Sequence, residues 1–371
     1  MTKHYDYLIV GAGLFGAVFA REATDAGKRC LVLDRRPHIA GNIYTEQIAG
    51  IEVHKYGAHI FHTSDRAVWD YVSRFATFNR FTNAPLARYG DELYHLPFNM
   101  NTFHALWGVK TPSEARAKID AARAPYTGRE PKNLEEQALA LVGEDIYRKL
   151  VEGYTEKQWG RPCRDLPAFI IRRLPLRFTF DNNYFSDPLQ GIPEEGYTAM
   201  VARMLEGSDL LLSTDYLSDR AAFDALADKV VFTGMIDEFY GAKYGRLCYR
   251  SLRFETETLD VDDYQGNAVV NYTDRDVPFT RIIEHKHFVF GKQPGTVVTR
   301  EYPAAWKPGD EPYYPVNDEA NDALYARYAA LAKQEPKVAF GGRLGLYRYL
   351  DIDKIVSEAL ALSRRLLSEG N

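Results

Sequence analysis

The sequence predicts an α/β chain with α+β insertions, and three observations carry this. The N-terminus reads strand, glycine turn, helix, strand. The stretch from about 100 to 175 carries repeated helix-start signals. Residues 245–303 alternate in strand fashion before α/β order returns at the C-terminus. In order, Tyr5–Val10 is an apolar strand, residues 11–16 a glycine turn, 17–26 a helix ended by Gly27, and Cys30–Leu33 a second strand closed by Asp34. Residues 35–62 read as irregular. Ser64 reads as the cap of a helix reaching about residue 75, and Leu86–Tyr89 with residues 93–95 as a hairpin about Gly90-Asp91. Thr111-Pro112-Ser113-Glu114 combines a capping hydroxyl, Pro at the first helical position and Glu three residues on. Asn133 with Glu136 repeats the signal, and 144–154 is a third helical stretch. Pro162, Pro167 and Pro175 then break regularity among Arg161, Arg164, Arg172, Arg173 and Arg177. Further on come a helix at 196–205, strands at 210–213, 229–233, 268–272 and 281–290, a helix at 318–333, a strand at 337–340 and a closing helix at 351–367.

The expected division is a discontinuous α/β domain from 1–80, 190–240 and 320–371, a helical domain at 96–175, and an antiparallel sheet domain from 81–95, 176–189 and 241–319. A chain of 371 residues accommodates this at roughly 150 residues per domain. A balance of 46 Lys+Arg against 51 Asp+Glu gives no general field for nucleic acid or an anionic membrane, so anion binding must come from local cations. Cys30, Cys163 and Cys248 are too few and scattered for a disulfide framework, and none has metal-ligand spacing, so no metal is expected. No apolar run reaches 18 residues and no leader pattern opens the chain; a cytoplasmic enzyme without membrane insertion is expected.

Gly11, Gly13 and Gly16 follow a strand and open a helix, the context in which this glycine pattern binds a dinucleotide. Gly11 permits the tight turn, Gly13 admits the pyrophosphate to the backbone, and Gly16 lets helix and strand pack closely. The helix N-terminus offers N–H groups to phosphates, and Asp34 is placed to accept from ribose hydroxyls. Arg35 and Arg36 are either contacts to a 2′-phosphate or solvated residues at the adenine edge. The run from Asp34 through Arg35 to Gly41-Asn42 resembles the corresponding segment of glutathione-reductase-like flavoproteins, as do Thr233-Gly234 and Gly341-Gly342-Arg343 with Tyr349-Leu350-Asp351. These resemblances imply a Rossmann-like FAD-binding domain rather than an NAD site. No second glycine triplet of this kind occurs.

Longer strings resemble bacterial UDP-galactopyranose mutases: Tyr56-Gly57-Ala58-His59-Ile60-Phe61-His62-Thr63, Gly153-Tyr154-Thr155-Glu156-Lys157-Gln158-Trp159-Gly160, Asp181-Asn182-Asn183-Tyr184-Phe185 and Thr280-Arg281-Ile282-Ile283-Glu284-His285-Lys286. The resemblance implies interconversion of UDP-galactopyranose and UDP-galactofuranose by reduced FAD. In the family's mechanism flavin N5 attacks the anomeric carbon, UDP leaves, and a flavin–sugar iminium opens and recloses as the contracted ring. It implies catalytic roles for Arg173, Arg281 and His59. Arg173 and Arg281 match diphosphate ligands, since the guanidinium fork fits phosphate oxygens, with Arg173 on a lid. His59 matches a residue beside the flavin. Tyr154 matches a uracil-stacking position, with Thr155 and Trp159 on the same wall. Tyr184, Tyr314 and Tyr349 match phosphate and sugar contacts, and Asn83 and Asn271 polar contacts. Leu150 stands where many members carry a second aromatic against the base. Cofactor contacts are expected from Gly11, Gly13, Leu14, Gly16, Asp34, Arg35, Gly41, Asn42, His59, Ile60, Leu217, Thr233, Gly234, Gly342, Arg343, Leu350, Asp351 and Ile352. An unidentified electron donor and a homodimer are also implied. Two other readings are weighed: an amine or protoporphyrinogen-type oxidase of the same fold group, which has no need of a diphosphate clamp, and a flavin-less binder of prenylated GTPases, which has no need of the intact glycine turn.

Overall fold

The computed structural model describes residues 4–171 and 174–368. Five parallel strands form one sheet in the order β16 (Val338–Phe340), β10 (Ala227–Phe232), β1 (Tyr5–Val10), β2 (Cys30–Leu33) and β9 (Asp209–Leu211). The near-continuous apolar strands require cover on both faces. One face buries Ile9 and Val32 against the helices Leu14–Asp25, Gly196–Met204 and Ile352–Ser368. The other buries Leu8 and Leu33 with Tyr216, Phe232 and Phe239. The first helix begins at Leu14 rather than at 17, because Gly13 is already its N-cap.

A second sheet of seven strands runs β15 (Tyr314–Pro315), β11 (Tyr249–Leu259), β14 (Thr296–Ala305), β13 (Arg281–Glu284), β12 (Val269–Tyr272), β6 (Leu86–Tyr89), β7 (Glu92–His95). It differs from the all-antiparallel expectation, because β12 pairs with β6 in parallel. The strand expected over 281–290 stops at Glu284, where a 3₁₀ turn over His285–Val289 begins. The stretch 35–62 is more regular than expected. β3 (Thr45–Ile48) and β4 (Ile51–His54) form a hairpin through Ala49 and Gly50, both at positive φ, and β5 (Phe61–Thr63) pairs with β8 (Leu189–Gly191). The cap of the helix Arg66–Val72 is Asp65, not Ser64; Ser64 instead bonds Asp187.

The helical insertion has its own core around Phe103, Ile119, Leu134 and Tyr147. Its helix Pro112–Arg123 starts on the expected reciprocal cap between Thr111 and Glu114. The stretch expected at 144–154 runs on to Trp159 and contains a π turn over Tyr147–Glu152, which the periodicity of apolar residues does not reveal.

Candidate active site

Strand register builds the site. Asn271 lies opposite Arg281, and Arg281 opposite Glu301, on adjacent strands of the mixed sheet. Directly opposed residues share a face, so an amide, a guanidinium and a carboxylate stand in one row. That row forms one wall of a cavity of about 710 Å³, closed by the 150–159 helical segment on one side and by residues 57–60 and 343–352 on the other.

Within this cavity the Arg281 Nη2 donates to the Tyr154 hydroxyl at 2.9 Å. Its Nε lies 3.1 Å from the Glu301 carboxylate but is not aligned for a hydrogen bond. Nη1 has no hydrogen-bond partner among the described residues. Burial opposes the Arg281 charge, but Glu301 and the phenol oxygens outweigh it and hold the group above its ordinary value. Burial likewise pushes the Tyr154 phenol up, against the pull of Arg281. The Glu301 carboxylate sits beside Gly57, where an added Cβ would lie 3.2 Å from it.

His59 donates through Nδ1 to the Gly57 carbonyl at 2.8 Å, which leaves Nε2 as the acceptor. Burial, with the charges of Arg343 and Arg281, pushes its pKa down to about 4, so the imidazole is neutral at pH 7. The His59 backbone N–H donates to His54 Nδ1 at 3.2 Å. Leu150 is buried in the π turn and lines the cavity, with Thr155 and Trp159 one and two turns on. Such turns recur at functional sites because they reorient side chains within a helix. The carbonyl of the buried Asn83 holds the Tyr184 N–H at 2.7 Å, and the Tyr314 and Tyr349 rings lie 5.8 Å apart.

The structure thus brings Asn83, Leu150, Tyr154, Thr155, Trp159, Tyr184, Asn271, Arg281, Tyr314 and Tyr349 to one cavity, together with Asn42, His59, Ile60, Arg343, Asp351 and Ile352. Arg173 lies outside the described residues. Asp351 precedes the last helix, and its carbonyl accepts from the Ile355 N–H at 3.0 Å. Leu217 and Leu350 do not line the cavity. Leu217 packs in a 3₁₀ turn against the parallel sheet, and the Leu350 carbonyl accepts from Arg343 Nε at 2.7 Å. Glu301, Tyr56 and His62 line the cavity although the sequence singled out none of them as site residues. β14 does not alternate cleanly, with Thr296 to Thr299 all buried, so no local pattern marks Glu301 as inward.

The glycine turn fits a dinucleotide. The helix Leu14–Asp25 has no side-chain cap at its N-terminus. Gly13 and Gly41 approach so closely that a Cβ on Gly41 would lie 3.0 Å from Gly13 Cα. Asp34 accepts the Ala12 N–H at 2.8 Å and the Arg36 N–H at 2.9 Å, which fixes the turn. Arg35 pairs with Glu311 at 3.1 Å, and Arg36 with Glu311 at 2.7 Å and Asn42 at 2.9 Å. Away from the cavity, Asp263, Glu284 and His287 bring possible ligand atoms within 4.8 Å, but the Glu284 carboxylate already accepts from the Tyr264 and Gln265 N–H groups and Thr296.

Compared with known proteins, residues 149–349 match the family model described as UDP-galactopyranose mutase, and residues 9–75 match a model of NAD(P)-binding Rossmann-like domains. The chain belongs to the UDP-galactopyranose mutase family. It is 41% identical over 367 residues to a Klebsiella pneumoniae protein named "Probable UDP-galactopyranose mutase", covering 97% of this chain and 94% of the relative. It is 39% identical over 362 residues to the dTDP-fucopyranose mutase of Escherichia coli, covering 95% and 96%. A crystal structure of reduced UDP-galactopyranose mutase matches with a TM-score of 0.74 at 14% identity, covering 98% of this chain and 96% of that one. In this mutase-family chain, the segment matched to the family model contributes Leu150 to Trp159, Asn271, Arg281, Tyr314 and Tyr349, whereas His59 and Asn83 lie outside it. The chain is therefore an enzyme-family member with a Rossmann-like dinucleotide fold, and among the described residues no helix is long and apolar enough to cross a membrane.

Proposed function

We propose that the chain interconverts UDP-galactopyranose and UDP-galactofuranose with reduced FAD as cofactor. One observation carries the reading: a guanidinium paired with Glu301 and bonded to Tyr154, its Nη1 without a hydrogen-bond partner among the described residues, stands in the same cavity as Asn42, next to the Gly13–Gly41 cradle. Bound and reduced, the flavin supplies an electron-rich N5 as nucleophile toward the anomeric carbon. The chain's own residues do the rest. Arg281, with Arg173, binds the diphosphate and neutralises the charge that grows on it as the glycosidic bond breaks, so part of its binding energy favours the transition state. Tyr154, Leu150, Thr155 and Trp159 hold the base, Tyr184, Tyr314 and Tyr349 the phosphates and sugar, and Asn83 and Asn271 its polar groups. Neutral His59, its Nδ1 engaged by the Gly57 carbonyl, keeps Nε2 as an acceptor for the cofactor. Gly11, Gly13, Leu14, Gly16, Asp34 and Arg35 hold the dinucleotide, with Gly41, Asn42, Thr233, Gly234, Gly342, Arg343 and Asp351 around it. The α/β, helical and sheet divisions expected from the sequence then act as cofactor domain, substrate wall and floor, in a cytoplasmic homodimer served by a separate electron donor.

The Escherichia coli relative's name gives a second substrate reading, a dTDP-linked 6-deoxy sugar. Dithionite-reduced protein is incubated with UDP-galactofuranose or dTDP-fucofuranose and the products are separated. Conversion of the UDP sugar with the higher kcat/KM, and almost none by oxidised protein, is expected. Equal activity of the oxidised protein overturns the cofactor role, and preference for the dTDP sugar replaces the substrate.

A further inference from the structure

The helix Gly153–Trp159 carries Tyr154 and Trp159 into the cavity, yet its Lys157 does not line it. The Lys157 ammonium instead donates to the carbonyls of Tyr272 at 2.8 Å, Val277 at 3.0 Å and Phe279 at 2.9 Å. An ammonium has three N–H donors, and this arrangement uses all of them on the end of β12 and its connection to β13. Two residues beyond Phe279 that connection delivers Arg281. A second contact joins the same two elements: a Cβ on Gly153 would lie 2.2 Å from the Thr273 carbonyl, so the helix rests directly on the chain there. Thr273 also bonds the Lys149 carbonyl at 2.6 Å, and Arg275 pairs with Glu152 at 2.8 Å and Glu156 at 2.7 Å. The Arg275 pairs are half exposed and contribute little. The Lys157 cluster is more enclosed: burial pushes the Lys157 pKa down to about 8 against the opposing pull of Asp274, which leaves the ammonium the main form at pH 7.

We propose that Lys157 is a positioning residue for substrate binding: by tying the β12–β13 connection to the helix Gly153–Trp159, it sets the separation at which Arg281 and Tyr154 meet. The inference rests on the reading of Arg281 as a diphosphate ligand. It predicts that Lys157 acts through Arg281 and on affinity more than on turnover.

The test measures UDP binding to flavin-loaded wild type, Lys157→Met, Arg281→Ala and the double variant by calorimetry, with KM and kcat alongside. Lys157→Met is expected to weaken UDP about tenfold, the effect of roughly one lost hydrogen bond, and to raise KM while kcat at saturation stays within about threefold. The double variant is expected to bind no more weakly than Arg281→Ala alone, the non-additivity of residues that act as a unit. A merely structural lysine would give additive losses, and that result overturns the inference. So does UDP affinity in Lys157→Met within about twofold of wild type when Arg281→Ala has lost it. If Arg281→Ala itself binds UDP normally, the diphosphate reading falls first and the inference with it. Should Lys157→Met fail to fold, Lys157→Arg decides on the same criteria, since a planar guanidinium fork cannot reproduce three tetrahedral donors.

Discussion

Arg281 is placed by its cross-strand neighbours. Asn271 on one side and Glu301 on the other leave its guanidinium one direction to extend, toward Tyr154 and the cavity. Arg281→Ala and Arg173→Ala are each expected to cost at least about 100-fold in turnover, or about 2.7 kcal/mol, with flavin still bound; steady-state rates and the flavin spectrum check this. Arg281 was legible because its string is long and unusual. Glu301 was not, because its role follows from strand register, which no local pattern states. The buried histidines carry a pH dependence. His285 is enclosed, its Nε2 bonded to Thr299 at 2.7 Å, and burial pushes its pKa down to about 3. The unfolded chain takes up that proton near pH 6.5, so the stability from keeping His285 neutral is complete above about 6.5 and is lost as pH falls toward 3. At pH 5 this one group should cost about 2 kcal/mol. Denaturant titrations at pH 7 and 5 should show a smaller difference for His285→Gln than for wild type.

At the scale of elements, the helical wall works because one glycine lets it touch the chain leaving the seven-stranded sheet at Thr273. Gly153 has ordinary helical dihedrals, so alanine suits its backbone, but the added Cβ would fall 2.2 Å from the Thr273 carbonyl. Gly153→Ala should therefore destabilise the protein by about 1–3 kcal/mol through overpacking and weaken UDP binding, because the helix must retreat from Arg281. Denaturant midpoints and calorimetry test both parts. The loop 181–187 behaves differently. Asp187 ties it to β5 through His62 at 2.6 Å and through Ser64, and Phe185 stacks on His62 at 3.6 Å. Asp187→Asn should raise amide exchange across 181–187, which carries Tyr184, while leaving the global midpoint within about 0.5 kcal/mol. Helix starts were readable here because caps are local chemistry, as at Thr111 and Glu114. The β3–β4 hairpin escaped because Ala49 occupies a positive-φ position that sequence rules reserve for Gly or Asn. The π turn escaped because one extra residue per turn leaves no apolar signature.

Across the whole molecule, the parallel sheet draws strands from both ends of the chain and from its middle, and the glycine turn sits where they converge. The strand, glycine turn, helix and strand that open the chain were visible in the sequence. The pairing of β12 with β6, which joins segments some 180 residues apart, was not, since parallel long-range pairing has no turn signal. The glycines of the turn separate fold from cofactor. A Cβ on Gly16 would lie 2.0 Å from the Gly11 carbonyl, so Gly16→Ala should disrupt the packing of helix on strand whether or not flavin is present. Gly13 differs. Its dihedrals of −74° and −178° suit any residue, and an added Cβ meets only Gly41 Cα at an ordinary 3.7 Å. Gly13→Ala should therefore leave the apoprotein within about 0.5 kcal/mol of wild type, with a slight gain from reduced unfolded-state freedom. On the proposed FAD reading, what it fills is the space through which the pyrophosphate reaches the uncapped helix N-terminus. Flavin binding should weaken at least tenfold, and the extra stability that a ligand at 1,000 times its Kd confers, about 4 kcal/mol, should shrink by about 1.4 kcal/mol at the same concentration. Thermal melts of the apoprotein and of protein with added FAD separate the two effects. An unchanged FAD increment in Gly13→Ala would place the cofactor elsewhere, whereas a lowered apoprotein Tm would show that Gly13 serves packing, as Gly16 does.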